Sequence, residues 1–439
     1  MDRDLQTILL RDNPWIQDRK VLEPWLASHL PATYIPRSVL ATAGGGWRRP
    51  GRAHLVVGPR QAGKSTTIWA HLDELGRPVL FIDCEQSLVQ HWCRSAPLFL
   101  AELEGLELPA PLTLFFEEAQ HLENAGLLLK GIIDRGYDAP VLVTGSSSFH
   151  LGAKVRESLA GRATRERLLP FSFSEVCHDL QEMHGLARSR AEEERLARHL
   201  VYGGYPGVWL DDAPEVILAG LVEAIILRDA SDLFRIGRPD AFRRMLRLAA
   251  GQTGSLVNLS EWASILGISR DTVASYLEIL EASHVVAMVP PFAGGRRSEL
   301  TKTPKIFFID NGVRNHLVRS FEPSIRRIDA GPNMENWVFG ELRKALPLEY
   351  DVHYWRSTSK AEVDFVIDTG ARLIALEVKA GAGTRPSIPR STRSFVDAYR
   401  PHRLLIVSGE DFEPERIGAT EVEWITPAEV ARAIGEGQH

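Results

Sequence analysis

Residues Gly58-Pro59-Arg60-Gln61-Ala62-Gly63-Lys64-Ser65 fit the pattern G-x-x-x-x-G-K-[ST] without a gap, a spacing that serves phosphate binding. Glycines let successive backbone N–H groups turn toward phosphate oxygens, and a helix opening at Thr66 presents its positive end to the same anion. Lys64 is placed to bridge the β- and γ-phosphates, and the Ser65 hydroxyl to ligate magnesium. The expected cofactors are ATP and Mg2+. Downstream, the apolar run Leu112–Phe116 ends in Glu117-Glu118. On a strand neighbouring the loop, Glu117 can hold the magnesium through water while Glu118 orients the attacking water. The next strand end, Thr144-Gly145-Ser146-Ser147-Ser148, offers polar side chains for the γ-phosphate or the water. Lys154, Arg156, Arg162, Arg165 and Arg167 follow in a stretch read as helical, and one of them can serve as an arginine finger in a neighbouring subunit's site.

A second constellation lies near the C-terminus. Val363-Asp364-Phe365-Val366 precedes Glu377-Val378-Lys379 in the order D-x(n)-E-x-K. Strand alternation puts Glu377 and Lys379 on one face, where Asp364 of an adjacent strand can meet them. Two carboxylates so placed can hold a metal against a scissile phosphate while a lysine orients or deprotonates water. An ordinary ion pair on a half-exposed strand pair has the same pattern. The apolar flanks Phe365, Ile367, Leu376 and Val378 instead predict central strands, where an acidic pair costs desolvation unless it has a task.

Both constellations need elements to position them. Short apolar runs at His54–Val57, Val79–Ile82, Leu112–Phe116 and Val141–Thr144 alternate with helical segments, predicting a parallel sheet covered on both faces. An arm broken by prolines precedes them, and a mostly helical stretch follows from about Ser174 to Ala250. Residues 255–310 read as helix, turn, helix and β-ribbon. Gly267 breaks the first helix, and Ser269 caps Arg270–Ala282, whose Val273, Tyr276, Leu277 and Leu280 point inward at helical spacing. Ser269, Arg270, Thr272 and Ser275 face outward, as a groove-reading helix requires. Arg296, Arg297, Lys302 and Lys305 of the ribbon are expected to meet phosphates, while Asp271, Glu278 and Glu281 oppose that role. Val352–Trp355, Val363–Ile367 and Leu373–Val378 complete the strands read here.

Composition bounds the setting. A chain of 439 residues exceeds one compact core. The formal charge of −6 argues against a wholly basic nucleic-acid coat and leaves room for a local basic patch. Cys84, Cys93 and Cys177 show no metal-ligand spacing and, being odd in number, no disulfide framework. No run approaches a membrane span, and the start of the chain lacks a signal-peptide core. A cytoplasmic protein without a membrane partner is expected.

Over nearly its whole length the chain resembles bacterial and archaeal AAA-like ATPases that carry a C-terminal PD-(D/E)XK nuclease-like domain. Asn13-Pro14-Trp15, Thr144–Ser148, Leu159–Arg162 and Leu169–Glu175 carry that resemblance, and Trp355-Arg356 extends the nuclease-like part. Glu117-Glu118 departs from the family's Asp-Glu. The resemblance implies an α/β fold: an arm (1–51), a P-loop ATPase core (52–173), a helical lid (174–250), a winged helix-turn-helix (251–320) and a restriction-endonuclease-like domain (321–439). It singles out Arg162 as the finger, implies Ser146 or Ser147 as the sensor, and adds Glu335 to Asp364, Glu377 and Lys379. A homo-oligomer is implied as well, a hexameric ring being the form the resemblance brings.

These features predict an ATP-hydrolysing machine acting on DNA, of helicase or branch-migration type. A nucleotide-switched regulator with slow turnover and an ATP-licensed, metal-dependent DNA endonuclease are the alternatives.

Overall fold

Five short runs in the first part of the chain become strands of one parallel sheet: β1 (Ala53–Val57), β2 (Val79–Asp83), β3 (Thr113–Glu117), β4 (Val141–Gly145) and β5 (Ala163–Arg167), in the order β2-β3-β4-β1-β5. The structure, a computed structural model, describes residues 3–38, 46–75, 77–106, 108, 111–145, 159–225, 236–294, 303–323, 326–379 and 387–435. It divides into two units, Met1–Pro170 with Ala282–His284, and Phe171–Glu281 with Val285–His439.

In the first unit, alternation sorts the strand residues between two apolar layers. Leu55, Val57, Leu114, Phe116, Val141 and Val143 enter one core, and Val56, Phe115 and Leu142 the other. A strand buried on both faces reads as a continuous apolar run, which is why β1, β3 and β4 were legible. β5 was not. Its Ala-Thr-Arg-Glu-Arg sequence is half-buried along its length and pairs with β1 at the sheet edge, so Arg165 and Arg167 stand on a strand and not on the expected helix.

The arm secures the other edge. The Asn13 side chain donates to the Phe81 carbonyl at 2.9 Å and accepts from the Phe81 N–H at 2.6 Å, while the Trp15 indole donates to Val79 O at 2.8 Å. Three outward backbone groups of β2 are thereby occupied, as an exposed sheet edge requires. Trp15 also packs edge-on against Trp69, at 5.6 Å between ring centroids, on the helix Lys64–Trp69.

The second unit holds the helices Gly185–Tyr202, Pro206–Trp209, Pro214–Ala224 and Pro239–Gly251, then the expected helix pair. Asn258 caps Leu259–Leu266, and Gly267 ends it at φ 65°, a conformation that glycine adopts without Cβ strain. The Thr272 N–H donates to Ser269 Oγ at 3.1 Å, opening Arg270–Ala282. Strands β6 (Val286–Val289) and β7 (Lys305–Phe308) form the antiparallel ribbon. Arg296, Arg297 and Lys302 lie outside the described residues.

After the helices Asn311–Val318 and Ala330–Ala345 comes a six-stranded sheet: β8 (Asp351–Arg356), β9 (Glu362–Asp368), β10 (Leu373–Val378), β11 (Arg403–Val407), β12 (Phe412–Ile417) and β13 (Thr420–Ile425), ordered β12-β13-β11-β10-β9-β8. The β10–β11 and β11–β13 pairs are parallel and the rest antiparallel. The helix Arg390–Tyr399 provides the β10–β11 crossover. Among the described residues no helix is long and apolar enough to cross a membrane.

Candidate functional site

The phosphate loop leaves β1 and enters the helix Lys64–Trp69. Gly63 stands at φ 90° as that helix's N-cap, and a Cβ on Gly58 would fall 1.9 Å from the Leu168 carbonyl oxygen. Both positions therefore exclude side chains on steric grounds. Lys64 is 4 % exposed. Its ammonium donates to Pro59 O at 2.9 Å and Gly58 O at 3.2 Å, and lies 3.8 Å from Glu118 Oε1.

The acidic pair comes from β3, which is not next to β1: β4 lies between them. That corrects the expectation of a neighbouring strand. β4 takes part in the link, since Gly58 N–H donates to Gly145 O at 3.3 Å and Glu118 N–H donates to Thr144 Oγ1 at 3.1 Å. Burial raises the Glu117 carboxyl above its ordinary range, against the downward pull of the nearby Ser65 hydroxyl. Glu118 adopts φ 50°, and its carboxylate accepts from Gln120. Ser65 beside Glu117, and Lys64 beside Glu118, form a donor set that fits magnesium on a triphosphate: an alcohol and a carboxylate for the metal, an ammonium for the phosphates. Ser146, Ser147, Ser148, Lys154 and Arg156 lie outside the described residues.

Arg162 is at the other end of the sheet. It precedes β5, and its carbonyl accepts from Ala53 N–H at 2.9 Å, level with the start of β1. Five strand residues separate that level from the loop, about 16 Å at ~3.3 Å per residue. Its guanidinium pairs with Asp134 at 2.5 Å.

One residue near the loop escaped the sequence reading. Buried Arg37 donates to Ala62 O at 2.8 Å and Leu169 O at 2.5 Å, fixing the loop backbone from the arm. An isolated arginine in a proline-rich arm gives no spacing signal that could have found it.

The C-terminal residues also gather. Leu376 pairs with Phe365 across β10 and β9, which brings Glu377 beside Asp364. The Val378 N–H donates to Asp364 Oδ2 at 2.8 Å. Lys379 Nζ lies 2.6 Å from Glu377 Oε1, and Thr392 Oγ1 donates to Glu377 Oε2 at 3.2 Å. Burial pushes Glu377 up to about 7 and Glu335 up to about 8, with Asp364 adding to both; burial likewise raises Asp364. Lys305 departs from expectation. It is 3 % exposed, and its ammonium lies 3.2 Å from Glu335 and 2.5 Å from Glu362. It cannot meet a phosphate, because the strand Lys305–Phe308 is wholly buried and its carboxylate partners compensate the charge within the unit. Among the described residues no group of three or more His, Cys, Asp or Glu side chains is arranged to hold a metal.

Three family comparisons fall on the chain in sequence. Residues 50–177 match the AAA domain, and residues 193–324 and 330–429 match two domains of unknown function, DUF8612 and DUF4143. The loop and the acidic strand end both lie inside the AAA match. An uncharacterized protein of Haemophilus influenzae is 23% identical over 386 residues, covering 84% of this chain and 92% of its own. An uncharacterized protein of Mycobacterium tuberculosis is 27% identical over 359 residues, covering 80% and 75%. Among solved structures, the Holliday junction branch migration motor RuvB of Thermotoga maritima aligns at 16% identity and a TM-score of 0.29, covering 62% of this chain and 89% of its own.

Proposed function

We propose that this chain is an ATP-hydrolysing motor that acts on DNA as a homo-oligomer. The observation that carries the reading is the Lys64–Glu118 pair, with Ser65 and Glu117 close by, joined across three strands of one sheet. Lys64 neutralises the terminal phosphates, Ser65 and Glu117 hold the metal, and Glu118 aligns water for in-line attack. Magnesium, when bound, supplies charge neutralisation on the phosphoryl group in flight. Arg162 stands too far from its own loop to serve there, so a finger role places it in a neighbouring subunit's site. Ser146 or Ser147 is the proposed sensor. The exposed Ser269, Arg270 and Ser275 of the second helix supply the DNA-facing side.

Exposed Glu278 and Glu281 on that same helix favour a second reading, in which nucleotide state gates a protein partner and turnover stays slow. Steady-state ATP turnover against single-stranded, duplex, forked and four-way DNA separates the two. The motor requires several-fold stimulation by at least one of these, and a fall of at least about 100-fold in Lys64→Ala, the scale on which such electrostatic groups act. Nucleotide binding with negligible turnover and no DNA effect rejects the motor.

A further inference from the structure

We infer that Lys305 is the resident cation of the C-terminal acidic centre, and that the centre ties the β6–β7 ribbon to the sheet in place of holding a catalytic divalent metal. Lys305 is not a surface lysine folded inward by chance. Its backbone is held on both sides, paired with Val289 in the ribbon and bridged to Leu256. Its side chain passes 5.4 Å from the centroid of the Tyr354 ring, and the Tyr354 hydroxyl donates to Thr303 O at 2.5 Å. Tyr354 N–H donates to Pro290 O at 3.2 Å, and Phe292 N–H to Tyr354 O at 2.6 Å, so β8 and the ribbon's exit are stitched by main-chain bonds. The ammonium is thereby delivered to Glu335 of one helix and Glu362 of β9 together.

A buried ammonium is stable only against carboxylates that replace its hydration, and Glu335 and Glu362 do so here. The remaining acids are also engaged: Glu377 by Lys379 and Thr392, Asp364 by the Val378 N–H. Magnesium can be held by as few as one or two carboxylates, but each of these carboxylates already has a cation or a donor within the unit, and among the described residues no group of three or more His, Cys, Asp or Glu side chains is arranged to hold a metal. The residues therefore do not fit the metal that a nuclease resemblance implies.

The test uses the full-length, nucleotide-free, metal-stripped protein and Mn2+ as the probe, with bound ion read from the loss of the free Mn2+ electron paramagnetic resonance signal. The expected result is that wild type and Asp364→Asn titrate alike through millimolar Mn2+. Lys305→Met, in which the acids lose their cation, is expected to gain one Mn2+ equivalent that adding Asp364→Asn removes. A wild-type Mn2+ equivalent that disappears in Asp364→Asn overturns the assignment, and that comparison decides it even where Lys305→Met fails to fold. Because nucleotide is absent, the outcome is independent of ATP turnover.

Discussion

At the scale of single residues, the two adjacent glutamates hold different positions. Glu117 ends β3 with its carboxyl near the Ser65 hydroxyl, which suits the metal-holding role proposed for it. Glu118 sits in the left-handed region at φ 50°, a conformation costing a non-glycine residue roughly 1–2 kcal/mol, and its carboxylate lies toward Lys64. Strain of this kind persists where surrounding contacts over-determine it, and the Thr144 hydroxyl accepting from the Glu118 N–H is one such contact. Glu118→Gln should therefore keep nucleotide affinity and lower single-turnover hydrolysis by about 100-fold or more, the usual range for a positioned acid–base group. Glu117→Gln should instead weaken magnesium-dependent nucleotide binding. Fluorescent-nucleotide binding set beside quenched-flow hydrolysis checks both, and the opposite pattern would reverse the two roles.

At the scale of elements, buried polar pins decide how segments meet. His199, on the helix Gly185–Tyr202, accepts the Trp337 indole N–H at Nδ1 over 2.7 Å, and its Nε2 lies 2.9 Å from Phe171 O. An indole nitrogen only donates and a carbonyl only accepts, so the ring is neutral with its proton on Nε2. Burial, with Lys344 adding, lowers its pKa from 6.5 to about 3. The folded value lies below the unfolded one, so the unfolded chain takes up the proton first as pH falls. Stability from this pin is complete above pH 6.5 and declines by up to about 1.4 kcal/mol per pH unit toward pH 3. Urea unfolding of wild type and His199→Gln from pH 7 to 4 should show a steeper acid loss in wild type; equal slopes would remove His199 from the account. Such pins also mark where sequence reading stopped. The apolar strands of the first sheet and the capped helix pair were legible because burial writes itself as periodicity. Asn13 was legible only as part of a signature, since its task is to bond the edge of a strand 68 residues away. Lys305 was misread because residue type suggested solvent, whereas its place at the head of Lys305-Ile306-Phe307-Phe308, a strand without an exposed position, held the better clue. Arginine-rich β5 failed for the converse reason: an edge strand need not look apolar.

At the scale of the whole molecule, the site in one chain is incomplete for the chemistry proposed. Arg162 and the phosphate loop occupy opposite ends of parallel strands β5 and β1, and no side chain spans the roughly 16 Å between those levels. Head-to-tail contact between identical subunits can bring the two ends together, since heterologous interfaces place different surfaces of one chain against each other and close into rings. Arg162 bonds Asp134 within its own unit, and that half-exposed pair would have to open for the guanidinium to reach a neighbour's nucleotide; an exposed pair opposes this by less than about 1 kcal/mol. The arrangement predicts complementation. Lys64→Ala and Arg162→Ala should each abolish most turnover alone, while a randomly mixed oligomer regains about a quarter of wild-type activity, because one interface in four joins an intact loop to an intact arginine. Titrating one variant into the other while following phosphate release checks this. Activity that stays at the level of the separate variants, in mixtures shown by cross-linking to have exchanged subunits, would place the finger elsewhere.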